Sequence, residues 1–320
     1  MKIKKNFYKF SLLYFIIIIL VLYSFNSLSF IEICKGFQTN TLFVGGTGDK
    51  NYSKIQDAID NSKENDTIIV FDGIYNESIV INKSINLVGL NKNSVFINAN
   101  GSLYVFLIKS SYVNISGLTI QDSKIGIFVS GSEFLFNNFS GNNIFNNTEA
   151  VRLVNTSNNK ILNNTIKSNN NFGIVLYESF NNIINDNLLV NNSKAIFLNR
   201  WSNNNTIEKN NLTENNVGIS LDFSFNNYII DNFILNNSYG VYLTNSDVNN
   251  ITNNYIEFNN ESGIYISNSN NNTISPNIFI KNNKDILLDT KPPDIKAPGF
   301  EFILFFVAII FFICSKKHIL

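Results

Sequence analysis

The chain has 320 residues, and its 24 basic and 24 acidic side chains cancel, which removes any electrostatic reason to expect a nucleic-acid partner. Two cysteines and one histidine exclude a disulfide scaffold and a structural zinc site. Sixty-one residues are asparagine, yet lysine stays at 22, so an AT-rich codon bias, which would raise both, explains the asparagines poorly.

Lys2, Lys4, Lys5 and Lys9 precede an apolar run from Phe10 to Tyr23, followed by the small and polar residues Ser24, Asn26, Ser27 and Ser29. A basic start, a short apolar stretch and small residues after it predict a secretory signal over residues 1–29, cleaved after Ser27-Leu28-Ser29 or kept as a signal anchor. Cys34 follows Ile31-Glu32-Ile33, which lacks the small residue a lipoprotein cleavage site needs.

Residues 41–66 read as a cap. Ile55, Ala58 and Ile59 fall on one face of a short helix, with Ser53 placed to cap its N-terminus. Such a helix would cover the open end of a strand stack, whose bare edge invites aggregation. Strands are expected at Ile68-Ile69-Val70, Ile79-Val80-Ile81 and Ile85-Asn86-Leu87-Val88.

The middle of the chain repeats. A small residue followed by apolar-x-apolar recurs at Gly126, Ala150, Gly173, Ala195, Gly218, Gly240 and Gly263, with a degenerate copy at Asp285, at steps of 22 to 24 residues. Asn142, Asn164, Asn187, Asn210, Asn232, Asn254 and Asn277 keep the same step, each two before an apolar residue. A serine before an asparagine-rich turn recurs at Ser157, Ser179, Ser224, Ser246 and Ser269, with Trp201-Ser202 in that place in one copy. The apolar residues alternate as in strands, and no copy has room for a crossover helix. About 22 residues suit one coil of two or three short strands, so the repeats over residues 67–290 predict an all-β, right-handed parallel β-helix of about ten coils. Stacked about 4.8 Å apart, the recurring asparagines would join in a hydrogen-bonded ladder. Asparagine also tolerates left-handed turn backbone.

Phe43-Val44-Gly45-Gly46, Tyr52 to Ile59, Asp66 to Val70, Gly73 to Glu77 and Ile81 to Leu90 resemble the N-terminal cap and first coils of pectin-lyase-like β-helices, and look most like the NosD-type branch, also described as carbohydrate-binding and sugar-hydrolase repeats. The likeness covers residues 41–290 and is specific for fold. The family names imply copper or polysaccharide. Copper sites use His, Met and Cys, and this chain has them at His318, Met1, Cys34 and Cys314, none of them in the repeats. No metal or other cofactor is therefore expected.

Lyases and hydrolases of this fold, by that resemblance, rely on clustered acids with a basic residue or histidine. One residue before the asparagine ladder stand Asn163, Asp186, Lys209, Asp231 and Asn253. Asp186 and Asp231, two coils apart at about 9.6 Å, lie near the upper end of the carboxylate spacing for inverting glycosidases. The lysine between them also fits a solvated charge stack of little energetic weight. Glu178 and Arg200 are equivalent on adjacent coils and are expected to pair. Trp201, the chain's one tryptophan, and the outward Tyr242 and Tyr265 form a candidate sugar-stacking face, although aromatics also favour strands for packing alone. Seventeen Asn-x-Ser/Thr sequons, among them Asn51, Asn76, Asn114, Asn163, Asn211 and Asn250, are glycosylation candidates in an exported domain.

At the C-terminal side, Lys291-Pro292-Pro293-Asp294 opens a stiff linker over residues 291–299, and residues 300–320 carry an apolar run from Phe302 to Cys314 before Lys316, Lys317 and His318. Pro298-Gly299-Phe300, the apolar segment and the basic end together resemble the PGF-type C-terminal sorting signal of archaeal surface proteins. That resemblance implies an archaeosortase-type processing enzyme as a partner, and replacement of the segment by lipid; a plain membrane anchor is the other reading. The sequence thus leads to an exported, membrane-anchored cell-envelope β-helix on the extracellular side of the cell membrane, a non-enzymatic scaffold or binder of cell-surface polysaccharide or glycoprotein. Its competitor is a polysaccharide-processing hydrolase or lyase, and a NosD-like copper role is a third class.

Overall fold

The computed structural model describes residues 39–289. The expected signal segment 1–29, Cys34, the expected linker 291–299 and tail 300–320, and with them Pro298-Gly299-Phe300 and His318, lie outside them. Thirty strands form three parallel ten-stranded sheets, and the chain visits the three in turn. The first sheet runs from Thr41–Val44 to Asn250–Thr252, the second from Gly73–Asn76 to Ile278–Ile280, and the third from Ile79–Ile81 to Ile286–Asp289. This is the right-handed parallel β-helix that the repeats predict. Its first sheet begins earlier than the repeats do, because Thr41–Val44 already pairs in parallel with Thr67–Val70. No helix among the described residues is long and apolar enough to cross a membrane.

One coil shows why the sequence folds so. Strands Asn138–Ser140, Asn143–Phe145 and Glu149–Val154 are separated by residues with left-handed backbone at Gly141 and Asn146, and Asn155 and Asn158 follow the third strand. Four such corners recur per coil, for example Asn158, Asn163, Ser168 and Glu178 at φ 59°, 53°, 52° and 50°. Asparagine is among the few residues that take this backbone cheaply, which accounts for many asparagines at corners.

The residue after a corner carries the stacking bonds. Three asparagine ladders run through the repeats, begun by Asn137, Asn142 and Asn147. At Asn187 the backbone N–H and the side-chain Nδ2 both donate to Oδ1 of Asn210, each at 3.0 Å, while Nδ2 also donates to the Ile161 carbonyl at 2.8 Å. The ladder asparagines within the stack are buried, so their amides satisfy the corner backbone groups that the strands leave unpaired. Only the ladder through Asn142 is explicit in the sequence periodicity; those through Asn137 and Asn147 blend into neighbouring asparagines. At the fourth corner a hydroxyl does the same work, with the Ser179 N–H donating to Ser202 Oγ at 3.2 Å. There the alignment on Ser157 is one residue off: the Thr156 N–H donates to Ser179 Oγ, whereas Ser157 pairs with Phe180. Serine and threonine serve equally as acceptors, so counting serines alone slips the register.

The core is a set of aliphatic columns. Val151, Ile174, Ile196, Ile219, Val241 and Ile264 are in register on consecutive rungs and fully buried; each is worth about 1.5–3 kcal/mol over the exposed state. The small residue before them is dictated by close approach, since a Cβ added at Gly218 would lie 2.6 Å from the carbonyl oxygen of Gly240.

The helix Ile55–Asn61 buries Ile55, Ala58 and Ile59 against the first coil, as its spacing predicts. Its cap differs from expectation. Lys54 occupies the N-cap without a side-chain bond, and the Glu77 carboxylate instead accepts from the backbone N–H groups of Ile55 and Gln56 at 2.8 and 3.0 Å. Ser53 is displaced because a carboxylate from the next coil reaches two orphan donors at once and suits the positive end of the helix. Lys83 closes the other end, donating to the carbonyls of Ile59, Asp60 and Ser62 at 2.8 Å each.

Candidate functional site: the outer face of the third sheet

In the repeats the third-sheet strands are six residues long, against three in the other two sheets. Positions three and five point into the core, and positions one, four and six form an outer face running parallel to the solenoid axis. The small residue at position two lets the strand bend, which brings position one round to the same side as position four. Seven such strands, from Ile125–Ser130 to Ser262–Ser267, span about 29 Å at about 4.8 Å per rung.

Aromatic rings occupy much of this face. Tyr242 and Tyr265 stack with ring centroids 4.4 Å apart and planes at 13°, and Tyr239 meets both edge-on at 5.2 and 5.8 Å. Further along the axis, Phe197 contacts Phe172 at 5.2 Å and Tyr177 at 6.4 Å. Trp201 stands at the border of the same sheet, in the corner after Lys194–Asn199. The register between Ser179, Ser202 and Ser224 shows one extra residue in that corner, so Arg200 and Trp201 are both left-handed and the indole is pushed outward, 61% exposed. Trp201 makes no ring contact with the tyrosines among the described residues.

Fixed charges lie among the rings. Glu149, at position one, and Arg152, at position four, form a two-pronged ion pair, Nε to Oε2 at 2.7 Å and Nη2 to Oε1 at 2.8 Å, with the guanidinium 5.5 Å from the Tyr177 ring centre. Burial pushes the Glu149 carboxyl above the usual range, and Arg152 opposes that only in part. Lys194 lies 4.0 Å over Phe197 and donates to Ser220 Oγ at 3.3 Å. Burial pushes its ammonium down, and Asp222 partly restores it. The Tyr265 hydroxyl donates to Asp289 Oδ2 at 2.8 Å, and burial together with this bond pushes the phenol up to about 12.

The remaining candidates fall elsewhere. Asp186, Lys209 and Asp231 occupy successive exposed corners between the first and second sheets, away from the aromatic face. Among the described residues neither aspartate pairs with Lys209. Glu178 and Arg200 are in register, as the repeat implies, but form no ion pair; each sits in a left-handed corner, and the charged pair that forms is Glu149–Arg152. Of the sequons, Asn76, Asn163 and Asn211 are exposed, and Asn51, Asn114 and Asn250 are half-buried. No ladder asparagine stands in a sequon. Periodicity from the apolar-x-apolar core finds position four, hence Tyr242 and Tyr265, but not position one. Glu149, Phe172, Lys194 and Tyr239 could have been found by asking which residue three earlier shares that face.

The three parallel sheets visited in turn define a right-handed parallel β-helix. Residues 59–238 and 201–295 match the family described as periplasmic copper-binding protein (NosD), and the chain belongs to that family. Comparison with curated protein sequences finds no match. Among solved structures, the chain is similar to the A-module of the Azotobacter vinelandii mannuronan C-5 epimerase AlgE4, at 14% identity and TM-score 0.52, covering 75% of this chain and 93% of that one. It is similar also to XylC solved with xylose, at 11% and 0.60, covering 72% and 67%. A third is the DFA-IIIase of Arthrobacter chlorophenolicus A6 in complex with DFA-III, at 14% and 0.59, covering 80% and 78%. These likenesses are of fold.

The copper of the family's description finds no fitting donors here. Residues 39–289 contain no histidine, cysteine or methionine, and no group of three metal-binding side chains comes together among them. Carboxylates and amides alone do not form the soft or imidazole sites copper prefers.

Proposed function

We propose that this protein is an exported envelope β-helix that binds a polysaccharide chain along the outer face of its third sheet, without cleaving it. The observation that carries the reading is the Tyr239–Tyr242–Tyr265 cluster, followed beyond the Ser220 rung by Phe172 and Tyr177, which pack on the buried Phe197. Aromatic faces offer apolar area to sugar rings, and the adjoining hydroxyls and charges bond their polar groups. Phe172, Tyr177, Tyr239, Tyr242 and Tyr265 are half-buried and keep part of each ring at the surface over five rungs, a length that suits a polymer rather than a small molecule. Trp201 and Arg200 extend the face at one border. The family's periplasmic description and the saccharide-related descriptions of the epimerase and of XylC support the same reading.

Export would rest on residues 1–29 and attachment on residues 300–320, either as a helix or as a lipid exchanged at Pro298-Gly299-Phe300 by an archaeosortase-type enzyme. Binding is favoured over catalysis because Glu149 is held by Arg152 and Lys194 by Ser220 and Phe197, so neither is free to exchange protons with a bound sugar. Asp186 and Asp231 remain the acids of the competing, enzymatic reading.

The test is affinity electrophoresis of the detergent-solubilised full chain through gels containing polymannuronate, xylan or pectin. Retardation in at least one gel, lost in the Tyr242→Ala/Tyr265→Ala double variant, is the expected result; no retardation in any gel sinks the reading. Release of reducing or unsaturated ends that stops in Asp186→Asn or Asp231→Asn would replace it with the processing enzyme.

A further inference from the structure

A second aromatic feature lies at the corner that leads into the first sheet, away from the face just described. Over seven described rungs of the repeats, that corner holds Phe136, Asn158, Asn181, Asn204, Asn226, Val248 and Asn271, all left-handed. One rung earlier it holds Tyr112, at φ 57°, and Phe136 is at φ 58°. Left-handed backbone is costly for a bulky residue, on the order of 1 kcal/mol or more, so two consecutive aromatics where asparagine is the rule point to a use for the rings. They stack on each other with centroids 5.2 Å apart and planes at 13°. They do not pay with burial, since Tyr112 is 59% and Phe136 47% exposed. A groove of about 370 Å³ opens beside them, bordered by Asn138, Asn158 and Lys160.

The sequence links these rings to a modifiable group. Tyr112-Val113-Asn114-Ile115-Ser116 and Phe136-Asn137-Asn138-Phe139-Ser140 each place an aromatic two residues before a sequon asparagine. Tyr112, Asn114, Phe136 and Asn138 all border the same groove, so the rings neighbour both acceptors. The two acceptors are adjacent in register but differ in their bonding. Asn114 Nδ2 donates to Asn86 Oδ1 at 2.8 Å and is engaged. Asn138 Nδ2 reaches only the hydroxyl of its own sequon, Ser140 Oγ, at 3.4 Å, and its Oδ1 has no partner.

We infer that Asn138 is an N-glycosylation site whose first sugar ring lies in the groove against the Phe136–Tyr112 stack. The inference rests on the export proposed above. In the step, Asn138 Nδ2 forms a bond to the anomeric carbon of an oligosaccharide carried on a lipid phosphate or pyrophosphate. The bond from that carbon to the phosphate oxygen breaks, the phosphate leaves with the electron pair, and the amide proton passes to a base of the transferase. A ring held against an aromatic face covers apolar surface that is otherwise wet, so the glycan stabilises the corner as the corner holds the glycan. Asn114, on the adjacent rung, stays unmodified, because the Asn86 bond occupies its amide and a second chain about 4.8 Å away would collide with the first.

The test is peptide mass mapping of the full chain made in a cell that N-glycosylates its exported proteins. Asn138 is expected to carry glycan and Asn114 none. Phe136→Asn restores the residue the corner prefers and keeps the fold; it should lower Asn138 occupancy at least threefold and leave the exposed corner sequon at Asn163 unchanged. Glycan at Asn163 with a bare Asn138, or occupancy at Asn138 indifferent to Phe136→Asn, overturns the site while leaving export standing. A chain bare at every sequon overturns both.

Discussion

Asn187 and Asn210 share one oxygen between two donors: the backbone N–H and the side-chain Nδ2 of Asn187 both reach Oδ1 of Asn210 at 3.0 Å. Asn187 in turn offers its own Oδ1 to the backbone and side-chain nitrogens of Asn164, at 2.9 and 3.0 Å. Every interior asparagine of the ladder is therefore both acceptor and donor, and the stack has a direction.

Asn187→Ala should consequently cost far more than its volume suggests. It takes the acceptor from the Asn164 backbone N–H and the side-chain donor from the Ile161 and Asn185 carbonyls in a buried corner, while Asn164 Nδ2 keeps the Phe139 carbonyl and Asn210 Oδ1 keeps the backbone N–H at position 187; each unsatisfied group costs about 1–3 kcal/mol where water cannot reach. A loss of about 3 kcal/mol is expected in urea unfolding. Asn191→Ala removes an exposed corner asparagine at φ 54° and its solvent-exposed bond to Ser168 Oγ at 3.3 Å, and should cost about 1 kcal/mol, chiefly the left-handed backbone penalty. Equal losses at the two positions would contradict the ladder's energetic role.

Asn142, Asn164 and Asn187 are legible in the sequence because an inward apolar residue always follows two places later, and that pairing survives in an asparagine-rich background. Asn137 and Asn147 belong to equally regular ladders, but their corners are crowded with other asparagines, and composition hides the period. The aromatic face was half legible for a similar reason. Tyr242 and Tyr265 follow from alternation, whereas Lys194 and Glu149 reach the face through a bend at the small second residue, which alternation does not encode. Glu77 as a helix cap was invisible, because it comes from a different coil.

Glu77 should therefore matter to the first coil specifically. Its two bonds to Ile55 and Gln56 cap a helix that covers the otherwise bare end of the core. Glu77→Gln keeps one acceptor and removes the charge facing the helix N-terminus; a loss of about 1 kcal/mol is expected, and Glu77→Ala should lose about 2. Hydrogen exchange of Ile68 and Val70 should quicken in both variants while that of Ile219 and Val241 does not. Uniform quickening along the solenoid would show that the cap is not local.

The Glu149 carboxyl is raised by burial in spite of Arg152, and this fixes the sign of its pH dependence. A carboxyl whose folded pKa exceeds its unfolded value contributes stability that is complete below the unfolded value, about 4.5, and is lost as pH rises through the folded one. Glu149→Gln keeps an oxygen for Arg152, whose side chain at 29% exposure still reaches water. The variant should thus match or exceed the parent in thermal stability at pH 7, and its advantage should shrink as pH falls toward 4. A variant several kcal/mol weaker at pH 7 would show that the ion pair outweighs the burial of its charge.

Tyr265 yields the prediction that joins stability to binding. Its phenol is pushed up to about 12 by burial and by donation to Asp289, so the unfolded chain ionises first and stability should fall as pH rises from about 10 to about 12. Tyr265→Phe removes that loss and leaves the 4.4 Å stack on Tyr242 in place. If sugar rings bind through the aromatic faces, Tyr265→Phe should keep affinity for the retarding polysaccharide within about twofold, while Tyr242→Ala, which breaks the stack, should weaken it roughly 2- to 12-fold, the equivalent of about 0.5–1.5 kcal/mol. Trp201, the only tryptophan, reports the event directly: its emission should shift on binding, and the shift should need about 2- to 12-fold more polysaccharide in Tyr242→Ala. Strong loss in Tyr265→Phe with none in Tyr242→Ala would assign recognition to the hydroxyl at Asp289 instead of the ring faces.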